Sequence, residues 1–99
     1  MYTSNEMCQA AFKALSDETR LKIFLILMEG EQCACKLHER FDCTQPTISY
    51  HMRVLTDSGL VESRRCGATT CYSVRAAVGE AVTTLMALLP NGREGVNAQ

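Results

Sequence analysis

No apolar run in this sequence is longer than the six residues from Ile23 to Met28, far short of the ~20 that cross a bilayer. The opening stretch MYTSNEMCQ lacks a basic patch followed by an apolar segment, so no secretory signal is expected, and a cytoplasmic location is. Catalytic signatures are missing as well. There are no paired carboxylates, no phosphate-cradling glycine loop and no nucleophile–base motif. None of the six cysteines has an arginine six positions later, the Cys-x5-Arg spacing with which small thiol-dependent reductases cradle an oxyanion. Catalysis is therefore not expected. No internal repeat is visible. What remains, 99 residues at 46% hydrophobic and 21% charged composition, suits one small domain with a modest core.

Six cysteines in a chain without an export signal point to thiol or metal chemistry rather than to a disulfide framework. A strong charge of one sign is also absent, the net charge being −1. That balance conceals a segment. Residues 44–75 carry four Lys/Arg against two Asp/Glu, whereas residues 1–43 carry five against seven. A phosphate backbone responds to local charge, so the basic excess of the middle segment is the relevant quantity.

Along the chain, Thr3 and Glu6 fit a capping box that opens a helix to about Leu15, with Met7, Ala11, Ala14 and Leu15 on one stripe. Ser16-Asp17-Glu18 then offers a cap followed by acids in the first turn of a second helix. That helix runs to about Met28, is almost without a polar face at its end, and stops at Gly30; it should be the central buried element. Residues 32–41 read as a third, shorter helix with Leu37 and Phe41 at i, i+4. In TQPTISYHMRVLTDSGL, Thr44 is the N-cap, Pro46 fits only the first turn, Ile48, Met52 and Leu55 face inward, and Gly59 is the stop. LVESRRC and CYSV, joined by GATT, read as a β-hairpin over roughly residues 60–74. A last helix from about Ala76 carries Val78, Val82, Leu85 and Leu89 on one stripe and ends before Pro90. Residues 1–90 thus form the domain, and 91–99 a tail expected to be disordered.

Two short helices joined by a tight turn, the second polar on its outer face and followed by a basic hairpin, make a winged helix-turn-helix. The expected fold is mainly α, about five helices plus a two-stranded wing. A helix fits the major groove, where Thr44, Gln45, Thr47, Ser49, Tyr50 and Arg53 could read base edges, while Arg64 and Arg65 of the wing meet phosphates. The bland alternative for Arg53 is an i, i+4 pair with Asp57. One winged helix offers few contacts, so a homodimer on two half-sites of double-stranded DNA is expected, with the first and last helices as its interface.

ALSDETRLKIFLIL, CTQPTISYHMRVLTDSGLV and the hairpin that follows resemble the ArsR/SmtB family of metal-responsive repressors, over roughly residues 10–75. Thr44, Tyr50 and Met52 stand where the family usually has Ser, His and Leu. The resemblance implies a homodimeric repressor that leaves its operator on binding an inducer. It also implies where to look. The zinc-type site of the last helix needs His and carboxylate ligands, and residues 75–90 offer only Glu80. The arsenic and cadmium/lead types use a C-x-C before the recognition helix, which EQCACKL matches with Cys33 and Cys35; Lys36 replaces an Asp, and His38 stands where some arsenic sensors have a third cysteine.

Soft thiolates select As(III) and Sb(III), the inducers expected here, and equally Cd(II), Pb(II) or Hg(II); oxidation of the pair would make a redox sensor instead. A helix start and Lys36 would favour the thiolate form. Residues i and i+2 lie about 200° apart on an ideal helix, so chelation by this pair is expected to distort the first turn, coupling binding to release. Otherwise Cys33 and Cys35 are simply small apolar residues. For a third ligand the candidates are Cys8, approaching from its own or the partner chain, and Cys43, just beyond the helix. Cys33, Cys35, His38 and Cys43 could alternatively form a structural zinc site of atypical spacing. Cys66 and Cys71, flanking the hairpin loop, could face one another, and His51 reads as a packed or solvated histidine.

Overall fold

The computed structural model describes residues 4–90; Thr3 and the tail 91–99 lie outside the described residues. The order is α1 (Ser4–Leu15), α2 (Glu18–Met28), β1 (Gln32–Cys33), α3 (Ala34–Glu39), α4 (Gln45–Asp57), β2 (Val61–Cys66), β3 (Thr69–Val74) and α5 (Ala76–Leu88). This is the winged helix-turn-helix expected. Among the described residues no helix is long and apolar enough to cross a membrane.

The wing departs from expectation. Its sheet has three strands in the order β1-β3-β2, all antiparallel, because Gln32 and Cys33 pair with Tyr72 and Cys71. The third helix accordingly begins at Ala34 and not at residue 32. The loop is also tighter than the four residues GATT: Cys66 pairs with Thr69, leaving Gly67 and Ala68 as the turn. Gly67 has φ 65°, the positive value that a two-residue II′ turn demands at its first position. Cys71 consequently lies opposite Arg64, with Cys66 on the diagonal.

α2 starts at Asp17, whose carboxylate accepts the Arg20 N–H at 3.0 Å. That hydrogen bond holds the Asp17 carboxyl below its usual range. Ser16 takes no part in the cap and donates instead to the Lys13 carbonyl at 2.7 Å. α2 is the central element expected, with Ile23, Phe24 and Leu27 buried, but its apolar residues are not all covered: Leu21 and Leu25 stay exposed because α1, α4 and β3 cover one side of it. Ile48, Met52 and Leu55 of α4 close the core from below, with Leu37 from α3 and Leu60 and Val61 from the start of the wing. Full burial of each such side chain contributes roughly 1.5–3 kcal/mol before entropy is counted. α5 splits: Val78 and Val82 pack on the core, while Leu85 and Leu89 do not.

Candidate functional site

The start of α4 is fixed by its own residues. Thr44 Oγ1 accepts the Thr47 N–H at 3.3 Å and lies 2.9 Å from Thr47 Oγ1, and Pro46 follows in the first turn, where a missing N–H is harmless. With one face committed to the core, Gln45, Thr47, Ser49, Tyr50 and Arg53 are all exposed. Arg53 makes no ion pair with Asp57 among the described residues, so its guanidinium is unengaged on the open face. The turn into α4 is braced by His38, whose Nε2 donates to the Cys43 carbonyl at 3.1 Å. His51 is internal: its Nδ1 accepts from Arg20 Nη1 at 3.2 Å, and Arg20 Nε donates to the Ala14 carbonyl at 2.7 Å, joining α1, α2 and α4.

The two wing arginines differ. Arg64 holds Glu31 in a two-pronged ion pair, both hydrogen bonds at 2.8 Å, and this lowers the Glu31 carboxyl from its usual range. Arg65, exposed, has no ion-pair partner among the described residues. Nothing in the sequence spacing marks Glu31 as a partner of Arg64, since the pairing depends on β1 joining the sheet.

The Cys33 and Cys35 sulfurs lie 3.1 Å apart. The distortion expected of an i, i+2 pair does not arise, because Cys33 is not helical: it is the N-cap, with the extended backbone of a strand (φ −82°, ψ 158°), and only Cys35 is within α3. The contact polarises the two thiols in opposite directions. The Cys35 S–H lowers the Cys33 pKa, with the Lys36 backbone N–H contributing next, while Cys35 itself is raised. The expected help from Lys36 comes from its backbone rather than from its ammonium. Cys71, hydrogen-bonded to Cys66 and partly desolvated, is pushed up to about 11.

Among the described residues no group of three or more His, Cys, Asp or Glu is assembled to hold a metal ion. The Cys33, Cys35, His38 and Cys43 zinc constellation is thus not gathered, consistent with His38 being spent on a backbone carbonyl. Cys8 is exposed on α1, away on the α2 and α4 side of the domain, and Cys43 packs against the core. The pair nevertheless adjoins the polar helix. A cleft of about 320 Å³ is shared by Cys35 and His38 with Gln45, Ser49 and Met52 of α4 and Tyr72 of the wing. The donor set itself, two adjacent thiols of which one is stabilised as thiolate, fits a thiophilic ion and not a hard one.

A helix-turn-helix with an open polar second helix and a basic wing defines a transcriptional regulator of the winged-helix class. More narrowly, the chain belongs to the arsR family of bacterial regulatory proteins, whose model matches residues 17–63. It is 46% identical over 66 residues to the arsenical resistance operon repressor of Staphylococcus aureus, spanning 67% of this chain and 64% of that one. It is 39% identical over 70 residues to an uncharacterized HTH-type transcriptional regulator of Methanocaldococcus jannaschii, spanning 70% of this chain and 79% of that one. A homodimeric winged helix-turn-helix DNA-binding domain from Mycobacterium bovis superposes with a TM-score of 0.78 at 23% identity, over 94% of this chain and 84% of that one. Relatives also include a cadmium resistance regulatory protein homolog of Staphylococcus aureus (41% identical, 64% of this chain, 53% of that one) and a probable mercury resistance operon repressor of Streptomyces lividans (40%, 64% and 50%). The fold and these relatives are those of regulators, not enzymes. The matched segment is slightly under two thirds of the length of the Staphylococcus aureus repressor.

Proposed function

We propose that this chain is a cytoplasmic repressor that binds operator DNA as a homodimer and lets go when As(III) or Sb(III) is taken up by Cys33 and Cys35. The observation that carries the reading is the 3.1 Å approach of those sulfurs at the junction between the wing sheet and the helix-turn-helix. In the unliganded state Gln45, Thr47, Ser49, Tyr50 and Arg53 read base edges, Thr44 fixes the helix start, and Arg64 and Arg65 contact phosphate. α1 and α5, which leave Phe12, Leu85, Met86, Leu88 and Leu89 exposed, form the dimer interface. Inducer binding draws on Cys33, the last residue of β1, and Cys35, in the first turn of α3, and so acts on the joint between wing and recognition helix.

The cadmium and mercury relatives support a second reading in which the same thiol pair takes Cd(II), Pb(II) or Hg(II). One titration separates these. Protein bound to DNA from its own promoter region is followed by fluorescence anisotropy while arsenite, antimonite, Cd(II), Pb(II), Hg(II) or peroxide is added, with a thiol reductant present in the metal arms. Arsenite or antimonite should release the wild type at the lowest concentration. The Cys33→Ser/Cys35→Ser double variant should bind DNA normally and stay bound; release of that variant by arsenite would refute the site assignment, and selective release by Cd(II) or peroxide would refute the inducer assignment.

A further inference from the structure

The sheet register builds a line of side chains across the wing that the reading above leaves unused. Cys33 is the cross-strand partner of Cys71, and Cys71 is the partner of Arg64, so one row over the three strands runs Cys33, Cys71, Arg64. Directly opposed residues of an antiparallel pair project to the same face, with Cα atoms roughly 4.5–5.5 Å apart. Here that face is the outer one, since Val61, Tyr72 and Val74 alternate onto the core. Cys33 therefore has the Cys35 sulfur 3.1 Å away on one side and the Cys71 side chain across the strand gap on the other. The three sulfurs are not yet gathered into one cluster. At the spacing of an opposed pair the Cys71 side chain stands within reach of the pair, and turning toward it exchanges the Cys66 contact for Cys33 and Cys35.

We propose that Cys71 supplies the third thiolate of the inducer site, from the wing of the same subunit. The proposal rests on the Cys33/Cys35 reading and extends it. Arsenous acid carries three exchangeable hydroxyls: as three As–S bonds form, three As–O bonds break, each departing hydroxide takes a proton from the incoming thiol or, where a thiolate attacks, from solvent and leaves as water, and arsenic stays trivalent, so no oxidant is required. The other third-ligand candidates are placed less well. Cys8 stands on α1, and Cys43 leans on the core beside the carbonyl that His38 occupies.

Two arsenicals test this. Arsenite has three exchangeable positions and phenylarsine oxide two. Protection of thiols from a disulfide reagent, counted per arsenic bound under anaerobic conditions, and the dissociation constant are measured for the wild type, Cys71→Ser, Cys71→Ala and Cys66→Ser, with circular dichroism reporting the fold. Arsenite should protect three thiols in the wild type and in Cys66→Ser but two in both Cys71 variants, with affinity lower by at least about tenfold, the low end of what losing even an outer-shell partner costs. Phenylarsine oxide should protect two thiols in all of them with unchanged affinity. Three protected thiols, or undiminished arsenite affinity, in either Cys71 variant would overturn the assignment of Cys71 while leaving the Cys33/Cys35 site standing. Failure of phenylarsine oxide to protect Cys33 and Cys35 in the wild type would instead overturn the underlying site.

Discussion

Cys33 and Cys35 bring their sulfurs to 3.1 Å because the chain changes from strand to helix between them. The consequence is chemical asymmetry: the sulfur–sulfur hydrogen bond lowers the Cys33 pKa and raises that of Cys35. Cys33 should then be the more reactive thiol of the two. Replacing Cys35 by alanine removes the donor, so the Cys33 titration, followed by thiolate absorbance or by alkylation rate against pH, should move up toward an ordinary thiol. Cys35→Ser, which keeps a hydroxyl donor, should move it less. Identical titrations in wild type and Cys35→Ala would show that the contact does not set the reactivity.

The Asp17 cap gives a pH-dependent contribution to stability. Its folded pKa lies below the unfolded value near 3.8, so the unfolded state binds more protons in the window between them. The stabilisation is present in full above that unfolded value and is lost as pH falls through the folded one. Asp17→Ala should cost about 1 kcal/mol at neutral pH, or roughly 4–8 °C in midpoint for a domain of this size. Asp17→Asn should keep most of the cap yet flatten the acid limb of the stability curve. Parallel acid limbs for wild type and Asp17→Asn in thermal melts would assign that limb to other carboxylates.

How far such features are legible in the sequence depends on their range. The start of α4 was readable from Thr44, Pro46 and the Ile48, Met52, Leu55 stripe because caps and 3.6-residue periodicity are local. β1 was not. Gln32 and Cys33 are strand only by pairing with Tyr72 and Cys71, and two residues carry no alternation of their own. From that single long-range pairing follow the shorter α3, the sulfur contact, the Glu31 to Arg64 ion pair and the Cys33, Cys71, Arg64 row. The C-x-C motif is therefore visible as residue types, while the geometry that brings its two sulfurs together is hidden in the sheet.

Glu31 should set how much of the wing charge is available to DNA. Its carboxylate is held by Arg64 through two 2.8 Å hydrogen bonds on an exposed surface. Glu31→Gln removes that charge and frees the guanidinium for a phosphate. DNA affinity should rise, and the slope of log affinity against log salt should steepen by about one unit. Arg65→Ala should do the opposite uniformly over sequences, whereas Gln45→Ala should cost about 1–3 kcal/mol at one base position only. Anisotropy titrations over a salt series on specific and scrambled duplexes check all three; an unchanged slope in Glu31→Gln would mean that Arg64 does not face phosphate.

The last turns of α5 should carry the dimer. Val78 and Val82 are used on the chain's own core, but Leu85, Met86, Leu88 and Leu89 are 48%, 54%, 78% and 54% exposed, an apolar patch that no other described residue covers. Single exposed apolar side chains are ordinary on a monomer, whereas four within five positions at a helix end suit a protein–protein interface. An isologous pairing would bury the same patch twice and set two recognition helices on adjacent half-sites. Because these side chains are outside the core, Leu85→Glu/Leu88→Glu should leave the helical circular dichroism intact while converting the dimer to a monomer in sedimentation equilibrium. Operator affinity should fall with it, since each half-site is then held alone. A variant that stays dimeric would move the interface off α5.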